Sequence, residues 1–391
     1  MRRSRLATFT AAALLLAGTA HPARAYVVNQ QIADTNDPRN AGVSACPLPT
    51  RMNLNQPGGL DRRWDTTLGP NILTTPGFPG GPPAEVQGVI LASYSTWTGV
   101  AGAAISTASY APLTATSGGN NCNSADGINT ICFAQDDTFA IGVLAVTRVT
   151  TAIAIGQSAG SKTASFAGEI LDADVELNPA VPFATPGALA ANPNAYDLES
   201  ILIHELGHTL GFAESPVAGA AMFPFAANPG TFRGARPSLA APDAPLADDD
   251  RAGLRVVYPG AAVYGTIRGR ILPVNPLSLA GLAATSPGMT VTGYYGAHVV
   301  AVDADTGQVV AGTLGGWSCD PSVQVTNFDG SYEIGGLPLG HNYIVYAEPL
   351  NGPVSPGMLS GPLSAQPCRP ESSNACVPPA ANTLFSSRVK P

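Results

Sequence analysis

The sequence predicts an α+β region followed by an all-β region, and three observations carry that reading. Around residues 82–98 and 194–210 apolar residues are spaced as on helices, the second of them apolar on nearly all sides. Between them, Glu169 to Asn178 alternates apolar and acidic residues with a period of two, as a strand with one apolar face does. Beyond Pro259-Gly260 the chain breaks into short β-rich runs separated by glycine-containing turns.

The chain opens Met1-Arg2-Arg3-Ser4-Arg5, continues with an apolar run from Leu6 to Ala20, and reaches Ala23-Arg24-Ala25. A basic start, a short apolar run and small residues read as a secretory signal peptide over residues 1–25. The run is too short to span a bilayer, and Leu16-Ala17-Gly18-Thr19 lacks the cysteine of a lipoprotein anchor. The expected product is secreted, extracellular or periplasmic, without a membrane anchor. Its length suits two domains. A net charge of -8 argues against nucleic acid and anionic membrane surfaces as partners. The 43 glycines and 36 prolines make loops abundant, yet a hydrophobic content of 45% is too high for a disordered chain. Six cysteines fit an oxidising compartment. Cys122 and Cys132 are close enough in sequence to close a small loop, although sequence does not fix the pairing.

Residues 26–59 form a polar, irregular N-terminal segment with Asn-Asp-Pro and Pro-Gly-Gly turn signals. A helix then opens at Pro82-Pro83 and runs to about Thr98, with Val86, Val89, Ile90 and Trp97 facing a core. The Val-, Ile- and Thr-rich stretch from Phe139 to Ile155 suits one or two buried strands, and Arg148 excludes a membrane span there. In the period-two strand, Ile170, Asp172, Asp174 and Glu176 share one face, opposite Leu171, Ala173, Val175 and Leu177. That acidic face is either solvated or a place to hold calcium. The next helix is expected to start near Asn194, with Asp197 in its first turn.

That helix carries His204-Glu205-Leu206-Gly207-His208. Four-residue spacing puts both imidazoles on one face, and two neutral imidazoles so placed can share one zinc ion. Glu205 follows the first ligand and points beside the metal, where it can take a proton from a water on the zinc. Gly211 lets the chain turn sharply and bring Glu214 back toward the same ion. The five histidines include no third candidate: His21 lies in the leader, and His298 and His341 lie far downstream. The third protein ligand is therefore Glu214, a nearby aspartate, or absent. Two histidines and a glutamate make a sound catalytic zinc set, and the added negative charge would weaken the zinc slightly as a Lewis acid.

With Gly211 at its spacing and Ala221-Met222-Phe223-Pro224 downstream, the segment resembles the metzincin clan of zinc peptidases, in its matrixin-like branch. Ser215 matches the residue that commonly follows the third ligand in matrixins, and Leu246 to Leu254 resembles the start of their closing helix. The resemblance covers residues 60–260. It implies an α+β zincin-like catalytic domain, a mixed sheet with an active-site helix, that hydrolyses protein or peptide substrates with Zn2+. It implies that Met222 lies under the metal as an apolar floor, and that an edge strand lines the cleft; whether Glu169 to Asn178 is that edge stays open. Matrixins often bind Ca2+, which keeps calcium as a second candidate cofactor. Matrixins place a histidine where this chain has Glu214, and Phe223-Pro224 removes the tyrosine ligand of some metzincins. Cys46, in Ala45-Cys46-Pro47-Leu48-Pro49, lacks the arginine and glycine that flank the zinc-blocking cysteine of matrixin pro-segments, and reads as a disulfide cysteine.

Short strands are expected at Val263 to Leu272, Gly296 to Val302, Gln308 to Thr313, Ser331 to Ile334 and Tyr343 to Glu348. Gly265-Thr266-Ile267-Arg268-Gly269, Asp329-Gly330-Ser331-Tyr332 and Gly336-Leu337-Pro338 resemble carboxypeptidase regulatory-like domains, which are small β-sandwiches. Residues 262–391 are thus expected to form an all-β sandwich domain with a C-terminal tail. It would serve as a folding or binding accessory, with His298 and His341 as ordinary residues. A reading of another class is an inactive peptidase-fold protein that works in binding or adhesion; the retained Glu205 speaks against it.

Overall fold

The structure is a computed structural model that describes residues 48–54, 83–105, 125–134, 139–215, 220–231, 245–272, 297–315 and 330–348, with short strands at 7–12, 30–31, 62–65, 114–116, 318–320 and 325–327. The greater part of residues 1–25, read above as a leader, and Cys46, Cys122, Cys368 and Cys376 lie outside the described residues. Cys132 is disulfide-bonded.

One mixed sheet organises the first region. Its strands are β1 (Ala7–Ala12), β2 (Arg51–Met52), β3 (Arg62–Asp65), β4 (Thr114–Thr116), β5 (Asn129–Phe133), β6 (Ala145–Thr151) and β7 (Glu169–Leu177). The spatial order is β1-β6-β7-β5-β3-β4, with β2 pairing the start of β7. β6 runs antiparallel to β7, while β5 runs parallel to it and β3 and β4 continue in the same sense. The strand beside the candidate site is therefore β6, and β7 is interior. Ala7–Ala12, inside the segment read as a leader, pairs antiparallel along the far side of β6.

β6 is shorter than the β-rich stretch predicted at 139–155. Gly142 adopts φ +86 in the turn ahead of it, a left-handed conformation that ends an extended run, and Ile141 stands 97% exposed. In β7 the expected parity is reset by a bulge between Ile170 and Asp172. Ile170 joins Ala173, Val175 and Leu177 in the main core, whereas Leu171 packs apart with Ala152, Ala159 and Ala164. The acidic face is not solvated, since all nine residues of β7 are buried. Asp174 accepts a hydrogen bond from the Thr130 amide at 2.8 Å, and Glu176 pairs with Arg148 at 3.0 Å.

Among the described residues four helices accompany the sheet: α1 (Pro83–Thr98), α2 (Pro186–Leu189), α3 (Leu198–Thr209) and α4 (Asp248–Val257). α1 packs along α3, and α3 lies against β6 and β7. As predicted, Val86, Val89, Ile90 and Trp97 of α1 are buried in the core. Among the described residues no helix is long and apolar enough to cross a membrane.

The later region holds β10 (Gly265–Arg270), β11 (Ala297–Asp303), β12 (Val309–Gly315), β13 (Ser331–Leu337) and β14 (Tyr343–Glu348), following the two-residue β8 (Phe183–Ala184) and β9 (Tyr196–Asp197). β12, β11 and β14 form one antiparallel sheet, and β10 and β13 another. Val299, Ala301, Ala311, Ile334 and Leu337 form the cluster between them, and Ala252 of α4 belongs to the same cluster. α4 therefore touches both regions.

Candidate metal centre

Helix α3 begins four residues later than Asn194, because Asp197 caps it. The Asp197 carboxylate accepts from the Ser200 amide at 3.1 Å, and Tyr196–Asp197 pairs as a strand with Phe183–Ala184, so the chain is extended until that point. Every residue of α3 except Ser200 is buried, which is what an apolar surface on all sides predicts.

The four-residue spacing brings His204 and His208 ring to ring, 4.8 Å between centroids and nearly perpendicular. The Nδ1 of His204 lies 2.7 Å from the Ala221 carbonyl, and that of His208 lies 2.8 Å from the Phe212 carbonyl. A carbonyl can only accept, so each Nδ1 carries the proton. The two Nε2 atoms, 3.2 Å apart, then face each other as bare acceptors. Gly211 makes the sharp turn at φ +93, where a Cβ would lie 2.1 Å from the Thr50 carbonyl oxygen. The turn returns Glu214, whose Oε2 is 3.5 Å from His204 Nε2 and whose Oε1 is 3.6 Å from His208 Nε2.

Electron pairs of four atoms thus converge in a buried space. Such a set is repulsive unless a proton or a cation sits within it, and the chemistry fits zinc. The electrostatics point the same way. Burial opposes a charge on His204, but Glu214 and Glu205 raise its pKa to about 9. Burial likewise opposes charge on Glu214, but the imidazoles of His204 and His208 hold it at about 2. A carboxylate kept ionised beside two imidazoles is a ready set of donors for a divalent cation.

Glu205 is fully buried one residue past His204. Its Oε2 accepts from the Thr147 hydroxyl of β6 at 2.5 Å, and its Oε1 has no hydrogen-bond partner. Burial pushes the Glu205 carboxyl up, against the pull of His204, His208 and the Thr147 hydroxyl.

Met222 is buried directly below α3, its side chain against Gly207, and Trp97 closes the same contact. Trp97 also donates to the Ile203 carbonyl at 2.9 Å and stacks on Phe212 at 5.3 Å. Sequence reasoning missed the supports around this turn. Asp250 of α4 accepts from the Ala221 amide at 2.8 Å, so the residue whose carbonyl holds His204 is itself held. Asp249 accepts from the Ser215 hydroxyl at 2.9 Å, next to Glu214. The Tyr258 hydroxyl joins the Leu210 carbonyl to the Met52 amide. The acid-rich stretch Asp248-Asp249-Asp250 was the only local signal for any of these.

A cavity opens beside His204, lined by Ile201, Phe223, Phe225, Ala226, Thr231 and Pro245, with Asp197 and Ser200 also in its lining. The β7 carboxylates are not among the described groups whose ligand atoms converge; besides the His204 set, those are Asp303, Asp305 and His341. There Asp303 caps a turn, accepting from the Asp305 and Thr306 amides and from His341 Nδ1.

A family model described as matrixin matches residues 125–258. No curated protein matches the chain. The matched residues run from four residues before β5 to one residue past α4, so they hold β5, β6, β7, α3, the turn at Met222 and α4. Over those residues the chain is similar to the matrixins.

Proposed function

We propose that this protein is a secreted zinc-dependent endopeptidase, with His204, His208 and Glu214 as zinc ligands, Glu205 as general base and Met222 as the apolar floor. The observation that carries the reading is the pair of Nε2 acceptors facing each other 3.2 Å apart beside the buried Glu214 carboxylate. Zinc held there would polarise a scissile carbonyl and make a water more acidic. Glu205, through Oε1, takes a proton from the attacking water and passes it to the leaving amine. Extended substrate would lie along β6, the strand that already accepts Ala7–Ala12 as an antiparallel partner. An apolar side chain of the substrate suits the cavity beside His204. In this reading residues 1–25 are the leader, 26–59 an N-terminal segment, 60–260 the catalytic domain and 262–391 a β-sandwich accessory with its tail.

The test is metal content together with hydrolysis of a general protein substrate such as casein. Wild type is expected to hold zinc and cleave. Glu205→Ala should keep zinc and lose roughly a hundredfold or more in rate. Glu214→Ala should lose zinc. A wild type that holds zinc and cleaves nothing would overturn the peptidase reading in favour of binding or adhesion. Full zinc and activity in Glu214→Ala would overturn the third ligand.

A further inference from the structure

The geometry assigns Thr147 as a positioning residue for the general base: its hydroxyl fixes one oxygen of Glu205 so that the other is presented to the reacting water. This rests on the peptidase reading above. Thr147 lies in the middle of β6, fully buried, in register with Val175 of β7. The strand runs against α3, so the threonine hydroxyl meets the helix at Glu205, 2.5 Å from Oε2 and 3.1 Å from the backbone carbonyl of the same residue. The shorter contact goes to the carboxylate, which is the better acceptor.

The orientation of a carboxylate about its last torsion is broad and nearly two-fold, so packing alone holds it weakly. The hydroxyl removes that freedom. With Oε2 engaged, Oε1 is the oxygen left without a hydrogen-bond partner, and it is the one free to take a proton. A β-branched residue suits this place twice over. Its χ1 is stiff, so the hydroxyl is aimed before Glu205 arrives, and its methyl is an apolar group on a residue with no exposed surface. Serine would keep the donor and lose the stiffness. Valine would keep the shape and leave Oε2 buried without a donor.

The experiment compares Thr147→Val and Thr147→Ser with wild type in the zinc-loaded full chain. Thr147→Val is expected to lower kcat roughly ten- to hundredfold, with KM within about twofold and zinc content unchanged. Thr147→Ser should recover most of kcat. A second measurement does not depend on turnover: the unfolding midpoint of Thr147→Val, in the wild-type and Glu205→Ala backgrounds at matched free zinc. A direct contact predicts non-additive shifts, the loss in wild type exceeding that in Glu205→Ala. Wild-type kcat in Thr147→Val, a rise in KM alone, or a Thr147→Ser rate as low as that of valine would overturn the assignment. So would additive midpoints. If the wild-type chain hydrolyses nothing, the peptidase reading fails by itself, and the unfolding cycle still decides whether Thr147 holds Glu205.

Discussion

Gly207 sits in the helix turn between the two imidazoles, and its lack of a side chain is what lets the methionine turn approach. A Cβ there would lie 2.1 Å from Met222 Sδ and 2.7 Å from Trp97 Cζ2, both on buried side chains. Alanine favours a helix over glycine by about 1 kcal/mol, but overpacking a close-fitted core costs about 1–3 kcal/mol. Gly207→Ala is therefore expected to destabilise the protein by up to about 2 kcal/mol in denaturant unfolding. Zinc retention should fall with it, because moving Met222 moves Ala221, whose carbonyl holds His204. An unchanged midpoint would show that the contact is looser than drawn. His204, Glu205 and His208 were legible in the sequence because one helix turn relates them. Glu214 was legible as a candidate because Gly211 supplies the turn and the histidine count removes a third histidine, while a nearby aspartate stayed open. Thr147, Asp249, Asp250 and Tyr258 were not, since they reach the site from 58, 34, 29 and 48 residues away and follow no local spacing.

Strand β7 shows how far a periodic pattern carries. Alternation identified the strand, and its acidic residues do fall together, but neither the bulge nor the burial of that face could be read from it. Burial depends on what packs against the strand, and here the start of β5 does so, with the Thr130 amide on the Asp174 carboxylate and Asn129 Oδ1 accepting from the Ala173 amide. Asp172 is raised to about 7 by burial and by Asp126, and Asp174 to about 9 by burial and by Asp172. Both groups hold their protons in the folded protein at pH values where the unfolded chain releases them near pH 4. Their contribution to stability is complete below that pH and is lost as pH rises through about 7 and about 9. Asp174→Asn keeps an acceptor for the Thr130 amide and cannot ionise. The variant should gain on wild type as pH is raised from 5 to 9, by an amount that grows across that range in thermal unfolding. A difference that stays constant with pH would mean that Asp174 is solvated after all. The helices were read more closely than the strands: α1 begins at the expected proline, and the start of α3 was misplaced only because Asp197 acts as its cap instead of lying in its first turn.

At the scale of the molecule, α4 joins the candidate site to the C-terminal sheets. Its N-terminal carboxylates brace the turn at Ala221 and the segment after Glu214. Leu254 and Val257 pack into the main core, while Ala252 packs among Val299, Ala311 and Leu337. Gly336, at φ +71, comes so close that a Cβ would lie 2.8 Å from the Ala252 carbonyl oxygen. Tyr264 adds a hydrogen bond to the Ala101 carbonyl at 3.2 Å, and Arg255 lies over its ring. The strand pattern of the later region was legible, but this docking was not, because the alternation in β11 to β13 says only that a face is apolar and not which helix covers it. A chain that ends at Pro259 would expose Ala252 and lose the Tyr264 contact. That corresponds to about 1–2 kcal/mol from one buried methyl group and one hydrogen bond, or roughly 2–8 °C in unfolding temperature. Because the same helix braces Ala221 and Ser215, the shortened chain should also release zinc faster to a chelator than the full chain does. Equal unfolding temperatures and equal zinc release in the two chains would mean that α4 is held by the catalytic core alone, and that the C-terminal sheets only rest against it.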